Sequence, residues 1–297
     1  MAYVISLDHH DRAKIICLSA HLKECVALFQ ENVLGCHIDE SIWGTRYRCT
    51  IGLERRSRFQ EREFRKRLGR SVAEFICEHM EPEMIRQIIQ HEHGLRQQEE
   101  VKQIEGRVRR LLETSAWECA KVVYANRRDK IARQVSSFLK GSAELAIDGF
   151  ARFRMKTYRY VLATCVQEAL HDYLLDQEYK EFIHLLRSFV EVQPPKLDFV
   201  HLIHEGRGAF RLMQADGTPL AWKERNEALN EMFEFSLSRE DMIVSTLLSI
   251  VPQEMCLHTQ NPQENVIQTL IQIFEGRLHL CEGCHLCGRT VHCQEDA

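Results

Sequence analysis

The residues best suited to chemistry lie at the C-terminal end of the chain, where cysteines and histidines follow one another at short spacings. Thirteen residues hold four cysteines and two histidines, namely Cys281, Cys284, Cys287, Cys293, His285 and His292. A C-x2-C turn brings two thiolates to one metal ion, and tetrahedral zinc takes four ligands with Zn–S bonds of about 2.3 Å. The spacing therefore predicts a metal-binding knuckle at 281–297, with Cys281, Cys284, Cys287 and Cys293 as its ligands.

The sequence does not determine which residue is the fourth ligand of this site. Cys293 follows Cys287 by six residues, whereas zinc sites more often pair two C-x2-C units across a longer loop. Four other residues could replace it: Cys256, His258, His285 and His292. Cys256 and His258 precede the last predicted helix, so a ligand from either would fasten the tail to the body of the protein.

The sequence is also compatible with more than one kind of metal site, or with none. Zinc is favoured, because four sulfur or imidazole ligands suit a tetrahedral structural site. An iron–sulfur cluster is the main alternative, since C-x2-C-x2-C resembles the ferredoxin run in which a further cysteine comes from elsewhere. A tail without metal is the third. Cys284-His285 also completes a haem-attachment pattern, which requires an oxidising compartment and is set aside.

Composition favours a folded cytoplasmic protein. The 297 residues carry a net charge of −4, with 44% hydrophobic and 28% charged residues, which argues against disorder and against a whole-chain basic field. The first ten residues lack a basic region and an unbroken apolar stretch, so no signal peptide is expected. No transmembrane helix is expected either. The cysteines outside the tail are expected to be buried thiols, namely Cys17, Cys25, Cys36, Cys49, Cys77, Cys119 and Cys165.

The pattern of apolar residues predicts an α+β protein that is predominantly α-helical. Strands are expected at 3–7, 47–53 and 255–258, and helices at 11–29 and 265–274. Residues 142–192 read as two successive helices that end at Pro194. We divide the chain into a mixed N-terminal part (1–53), a charged helical region (54–145), a core of helices with a small sheet (146–280) and the tail (281–297).

The small sheet is expected between the last long helix and the C-terminal helices. Hydrophobic residues alternate from Phe199 to Ile203, a Gly-Arg-Gly turn follows, and Ala209 to Met213 returns. With a third strand at 219–222, this pattern predicts a three-stranded antiparallel meander. His201 and His204 are read as polar residues at a strand edge in preference to metal ligands or bases.

Nucleic-acid binding and catalysis are two further functions on which the sequence motifs bear. The arginines between Arg55 and Arg70 are mixed with Glu54, Glu61 and Glu63. Such a mixture favours a solvated helix face, and nucleic-acid binding is kept as a weaker alternative. Phosphate-loop, dinucleotide, nucleophile-elbow and zinc-hydrolase motifs are not found. We therefore name no catalytic residue and favour a non-enzymatic protein.

Three stretches resemble the YtxC-like family of sporulation proteins from endospore-forming bacteria. They are 148–158, from Asp-Gly-Phe-Ala-Arg-Phe onward, 178–194, and 239–252 together with the helix ahead of the cysteines. The resemblance implies a cytoplasmic protein linked to sporulation, with an unidentified protein partner and no known biochemical activity. It supports Cys281, Cys284 and Cys287 as ligands but not Cys293, because the relatives' tail resembles C-x2-C-x2-C.

On these grounds we expect a cytoplasmic interaction or regulatory factor of sporulation with a C-terminal zinc site. An iron–sulfur protein for electron transfer or redox sensing is the alternative. Because no flavin, nucleotide or substrate motif is found in the sequence, we favour the interaction or regulatory factor.

Overall fold

The computed structural model describes most of the chain as two compact units. The described residues are 2–30, 36–54, 57–113, 127–206, 208–220 and 238–284. The units are Met1–Leu174 and Leu175–Ala297. Both combine helices with a small sheet, so the predicted helix-dominated α+β class is confirmed. None of the described helices is both long and apolar enough to cross a membrane.

The sheet of the first unit has four strands in the order β2-β3-β1-β4. These are β1 (Ala2–Asp8), β2 (Cys36–Trp43), β3 (Arg46–Leu53) and β4 (Glu144–Ala146). β1 pairs antiparallel with β3 and parallel with β4. The predicted strands at 3–7 and 47–53 are confirmed as β1 and β3. β2 was missed, because this outer strand is mostly exposed and polar and so lacks the apolar alternation that the search relied on.

Helices cover this sheet and build a second core beside it. They are α1 (Arg12–Gln30), α2 (Arg58–Phe75), a π-helical turn (Ile76–Met80), α3 (Glu81–Glu92), α4 (Gln98–Glu113), α5 (Arg127–Gly141), α6 (Ile147–Arg154) and the start of α7 (Lys156–Val192). Residues of α1, α2 and α5 pack on the strands, and α3, α4 and α7 share a second apolar cluster. Phe150 lies in a helix and is buried, as the helical reading of that stretch required.

A capping box starts α2. The Ser57 hydroxyl accepts a hydrogen bond from the Gln60 N–H, and the Gln60 side chain accepts one from the Ser57 N–H. Reciprocal caps of this kind satisfy two amides that the helix itself leaves unpaired. The cap therefore stabilises the start of α2.

A buried carboxylate joins three helices of the first unit. Glu81, only 5% exposed, accepts a hydrogen bond from the Tyr158 hydroxyl. Its other contact is the Arg127 guanidinium, with Nε 3.4 Å from Oε2. Burial, followed by the Glu81 charge, raises the pKa of Tyr158 well above its usual range. The phenol is therefore neutral and able to donate, so the carboxylate is both paired and hydrogen-bonded, as a buried charge must be.

The second unit contains a mixed sheet in the order β6-β5-β7-β8. Its strands are β5 (Leu197–Gly206), β6 (Ala209–Gln214), β7 (Pro252–His258) and β8 (Leu278–Leu280). β5 and β6 form the predicted hairpin, whereas β7 and β8 are parallel to β5. The expected antiparallel meander is therefore wrong for the sheet as a whole, which is mixed. In its expected third strand at 219–222, Pro219 forms an antiparallel bridge with Met213, and residues 221 and 222 lie outside the described part of the chain.

Three helical segments form the apolar core of this sheet. They are α8 (Arg239–Ile250), α9 (Asn265–Ile273) and the end of α7. Val200, Leu202, Met255 and Leu257 are fully buried in that core. α7 is continuous from Lys156 to Val192, so the expected division into two helices is wrong. No proline or glycine interrupts that sequence, which leaves no local signal to stop the helix.

Two glycines make a matched test of how α2 packs. A Cβ at Gly69 would lie 2.6 Å from the Ala132 carbonyl oxygen of α5, whereas one at Gly106 in α4 would meet nothing within 4 Å. We expect Gly69→Ala to destabilise the protein by roughly 1–3 kcal/mol through overpacking. Gly106→Ala should stabilise it by up to about 1 kcal/mol through helix propensity.

Urea unfolding of both variants measures this difference. An equal gain in stability from the two substitutions would contradict the close approach of α2 and α5.

Candidate metal centre

Three parallel strands bring the metal-ligating side chains of the second unit to one face of the sheet. β5 lies beside β7 with His201 opposite Cys256, and β7 lies beside β8 with Leu257 opposite Leu280. Side chains alternate between faces along a strand. Since Leu257 is buried in the apolar core, Cys256 and His258 point to the other face, and His201 shares it.

The pairing of β7 with β8 continues one residue beyond the strand. The Cys281 N–H donates a hydrogen bond to the Leu257 carbonyl oxygen at 2.9 Å. Cys281 therefore lies next to His258 on the same face of the sheet. The chain then turns, and Cys284 follows three residues later.

His258, Cys281 and Cys284 form a group whose ligand atoms all lie within 4.8 Å of one another. Within it, the Cys284 Sγ is 3.3 Å from the His258 Nδ1. The His258 side chain is almost fully buried, at 2% exposure, and both cysteines are half-buried. One tetrahedral ion with Zn–N near 2.05 Å and Zn–S near 2.3 Å separates its two donor atoms by about 3.6 Å. The 3.3 Å between the Cys284 Sγ and the His258 Nδ1 is close to this value, so the group could hold a single ion.

His258 also belongs to a second group with His201 and Cys256. The His258 Nε2 lies 3.0 Å from the His201 Nδ1. The two ring nitrogens of His258 thus face different neighbours, Nδ1 the tail cysteines and Nε2 the strand β5. With a metal on Nδ1, the proton of the neutral ring is on Nε2, and Nε2 donates it to His201. Such an outer hydrogen bond orients a histidine ligand.

The predicted ligands are distributed as follows. Cys281 and Cys284 come together, and His258, one of the predicted substitutes, joins them. Cys256, the other substitute in the body of the chain, groups with His201 and His258 instead. The remaining candidates lie outside the described residues: Cys287, Cys293, His285 and His292.

The expectation for His201 and His204 was wrong. β5 lies between β6 and β7, so neither histidine is at a sheet edge, and His204 is buried. His201 was not predicted as a neighbour of the site, because the parallel pairing of β5 with β7 joins residues more than fifty positions apart. The only local signal was the histidine itself.

A second polar cluster lies at the same ends of β5 and β7. The His204 Nδ1 is 2.9 Å from the Thr259 Oγ1, and its Nε2 is 3.3 Å from the Glu264 carboxylate. This second contact is not a hydrogen bond, and Nε2 has no hydrogen-bond partner among the described residues. His204 and Thr259 line a small cavity of about 320 Å³ together with Arg211 and His258. The Thr259 hydroxyl therefore provides a partner for only one of the two ring nitrogens of this buried histidine, which lies next to the candidate metal ligands.

Cysteines elsewhere differ from those of the site. Cys25, Cys36, Cys49, Cys77 and Cys165 are buried, as expected for thiols that act as small apolar residues. Burial raises the pKa of Cys25 and of Cys49 to about 12, and that of Cys77 to about 11. These thiols are neutral and inert at physiological pH. Cys17 is half-buried, and Cys119 lies outside the described residues.

Comparison with known proteins gives a family and one relative. The family model described as YtxC-like family matches residues 66–279. This range includes His201, Cys256 and His258 and ends two residues before Cys281. The "Uncharacterized protein YtxC" of Bacillus subtilis (strain 168) is 24% identical over 212 residues, covering 70% of this chain and 74% of the relative. No solved structure matches. Because the family model covers well over half of the chain, the protein belongs to the YtxC-like family.

Proposed function

We propose that the second unit binds one zinc ion through His258, Cys281, Cys284 and Cys287. In this proposal the protein is a non-enzymatic interaction or regulatory factor of the sporulation programme in the cytoplasm. The observation that carries the metal site is the group of His258 with Cys281 and Cys284, whose ligand atoms lie within 4.8 Å.

Cys287 is the fourth ligand in this proposal because of its spacing. It follows Cys284 by three residues, as Cys284 follows Cys281, so the turn that carries one thiolate toward the ion can be repeated. Cys256 is the weaker choice, because among the described residues it groups with His201 and His258 and not with the tail cysteines. Cys293 is not needed once His258 supplies a ligand.

The donor atoms favour zinc over an iron–sulfur cluster. Three thiolates and one imidazole are a common structural zinc set. In a four-iron cluster each protein ligand binds a different iron atom, which spreads the sulfurs apart, whereas here the three donor atoms lie within 4.8 Å of one another. Four protein ligands also leave no open position for a substrate, and this supports a structural role.

A metal held in this way would fasten the tail to the sheet. His258 belongs to a buried strand, whereas the cysteines follow the last strand, β8. Binding joins the two, and the free energy of binding contributes directly to the stability of this part of the fold. The surface so ordered is our candidate for contacting the unidentified sporulation partner.

Removal of one tail cysteine should abolish metal binding. Protein purified without oxygen is expected to be colourless and to contain one zinc per chain, and Cys284→Ser should lose it because a three-ligand site binds zinc far more weakly. Elemental analysis and a visible spectrum measure both. Cys17→Ser, a half-buried thiol of the first unit, is the control and should keep its zinc. A brown protein containing iron and sulfide would refute the zinc assignment.

The fourth ligand can be identified by three single substitutions. Cys287→Ser should raise the fraction of zinc lost to a competing chelator by tenfold or more, to the same extent as Cys281→Ser. Cys256→Ser and Cys293→Ser should leave zinc retention unchanged, because neither sulfur belongs to the proposed set. Loss of zinc from Cys256→Ser or Cys293→Ser, with retention in Cys287→Ser, would show that the ligand set is wrong.

The link to sporulation can be tested in the cell. Deletion of the gene from the source organism should lower the count of heat-resistant spores without slowing vegetative growth. Expression of the intact chain should restore the count, whereas Cys284→Ser should not. Normal spore numbers in the deletion strain would argue against the sporulation role and leave the metal site standing.

A further inference from the structure

A basic groove lies between α2 and α5 in the first unit, separate from the metal site. It has a volume of about 930 Å³ and is lined by six cations and one carboxylate, a net charge of +5: Arg62, Arg65, Lys66, Arg70, Arg133, Lys140 and Asp129. The chain as a whole carries a charge of −4. The positive charge is therefore concentrated locally and is not a property of the whole surface.

The two helices arrange these cations in rows. Arg62, Lys66 and Arg70 are four residues apart, so they share one face of α2 and extend over about 12 Å at 1.5 Å per residue. Arg133 and Lys140, two turns apart, line the facing side of α5. Small side chains lie between the rows, where Ala132 and Ser136 occupy the close approach that Gly69 permits.

Most of these cations have no carboxylate partner. Lys66 pairs with Glu63 at 2.7 Å, and Arg65 pairs with Glu61. Among the described residues, no carboxylate lies within ion-pair distance of the exposed side chains Arg62, Arg70, Arg133 and Lys140. Four like charges held around one groove repel one another, and an anionic ligand would remove that cost.

The lining chemistry identifies the ligand. Arginine and lysine at regular spacing suit a row of phosphates, and duplex nucleic acid presents one charge per about 1.7 Å of its axis. Among the described residues, no aromatic side chain lines the groove, and these residues therefore offer no surface on which the bases of a single strand could stack. We propose that this groove binds the sugar-phosphate backbone of a duplex nucleic acid without reading its sequence.

Anisotropy of a short fluorescent DNA duplex, titrated with the full chain, tests the proposal. Neutralisation of four phosphates gives a slope of about −3.6 in log K against log salt, so affinity should fall about 150-fold between about 50 and 200 mM salt. A single-stranded probe of the same sequence should bind no more tightly than the duplex.

Two triple variants with equal charge loss locate the site. Arg62→Gln, Arg70→Gln and Lys140→Gln together remove three groove cations and should reduce the slope to about −0.9. The control, Arg86→Gln, Lys102→Gln and Arg109→Gln, removes three exposed cations of α3 and α4 and should keep the wild-type slope. Circular dichroism and unfolding midpoints establish that both variants are folded.

Four results would overturn the proposal. They are no binding of the intact chain at low salt, equal loss of binding in both triple variants, tighter binding of the single strand, and displacement of the duplex by polyglutamate at equal charge. The first two exclude the groove as a site, the third excludes a duplex ligand, and the fourth points to an acidic protein.

Discussion

The pairing of β7 with β8 is the constraint on which the candidate metal centre depends. A parallel ladder fixes both the neighbour and the face of each side chain, and a shift of one residue would turn every side chain to the other face. The hydrogen bond from the Cys281 N–H to the Leu257 carbonyl oxygen continues that register to the strand end. Because Leu257 must face the apolar core, His258 and Cys281 are directed together to the opposite face.

Burial separates the cysteines of this protein into two classes. Cys25, Cys49 and Cys77 lie among apolar side chains, where desolvation raises the pKa of the thiol and keeps it neutral. Cys281 and Cys284 are half-buried at strand ends beside an imidazole. Position in the fold, more than residue type, therefore distinguishes the candidate ligands from the buried thiols.

The fold also determines where the charged side chains are concentrated. Along the chain, the arginines of α2 are mixed with glutamates, which is typical of a solvated helix face. In three dimensions, Glu61 and Glu63 pair with Arg65 and Lys66, while Arg62 and Arg70 of α2 line the groove together with Arg133 and Lys140 of α5. An even mixture in sequence thus becomes an uneven distribution in space, because a helix displays residues by angle and not by order.

The sequence by itself determined the helix-rich α+β class, the main strands β1, β3 and β7, and the cysteine spacing that indicates a metal. These signals are local: apolar periodicity and C-x2-C turns. It also named His258 and Cys256 as substitute ligands but could not choose between them. Only the tertiary structure decided that His258 lies beside Cys281 and Cys284, that His201 lies behind His258, and that β5 is a central strand. The reason is that parallel pairing joins distant segments through crossover helices, and no local pattern records which strands will meet.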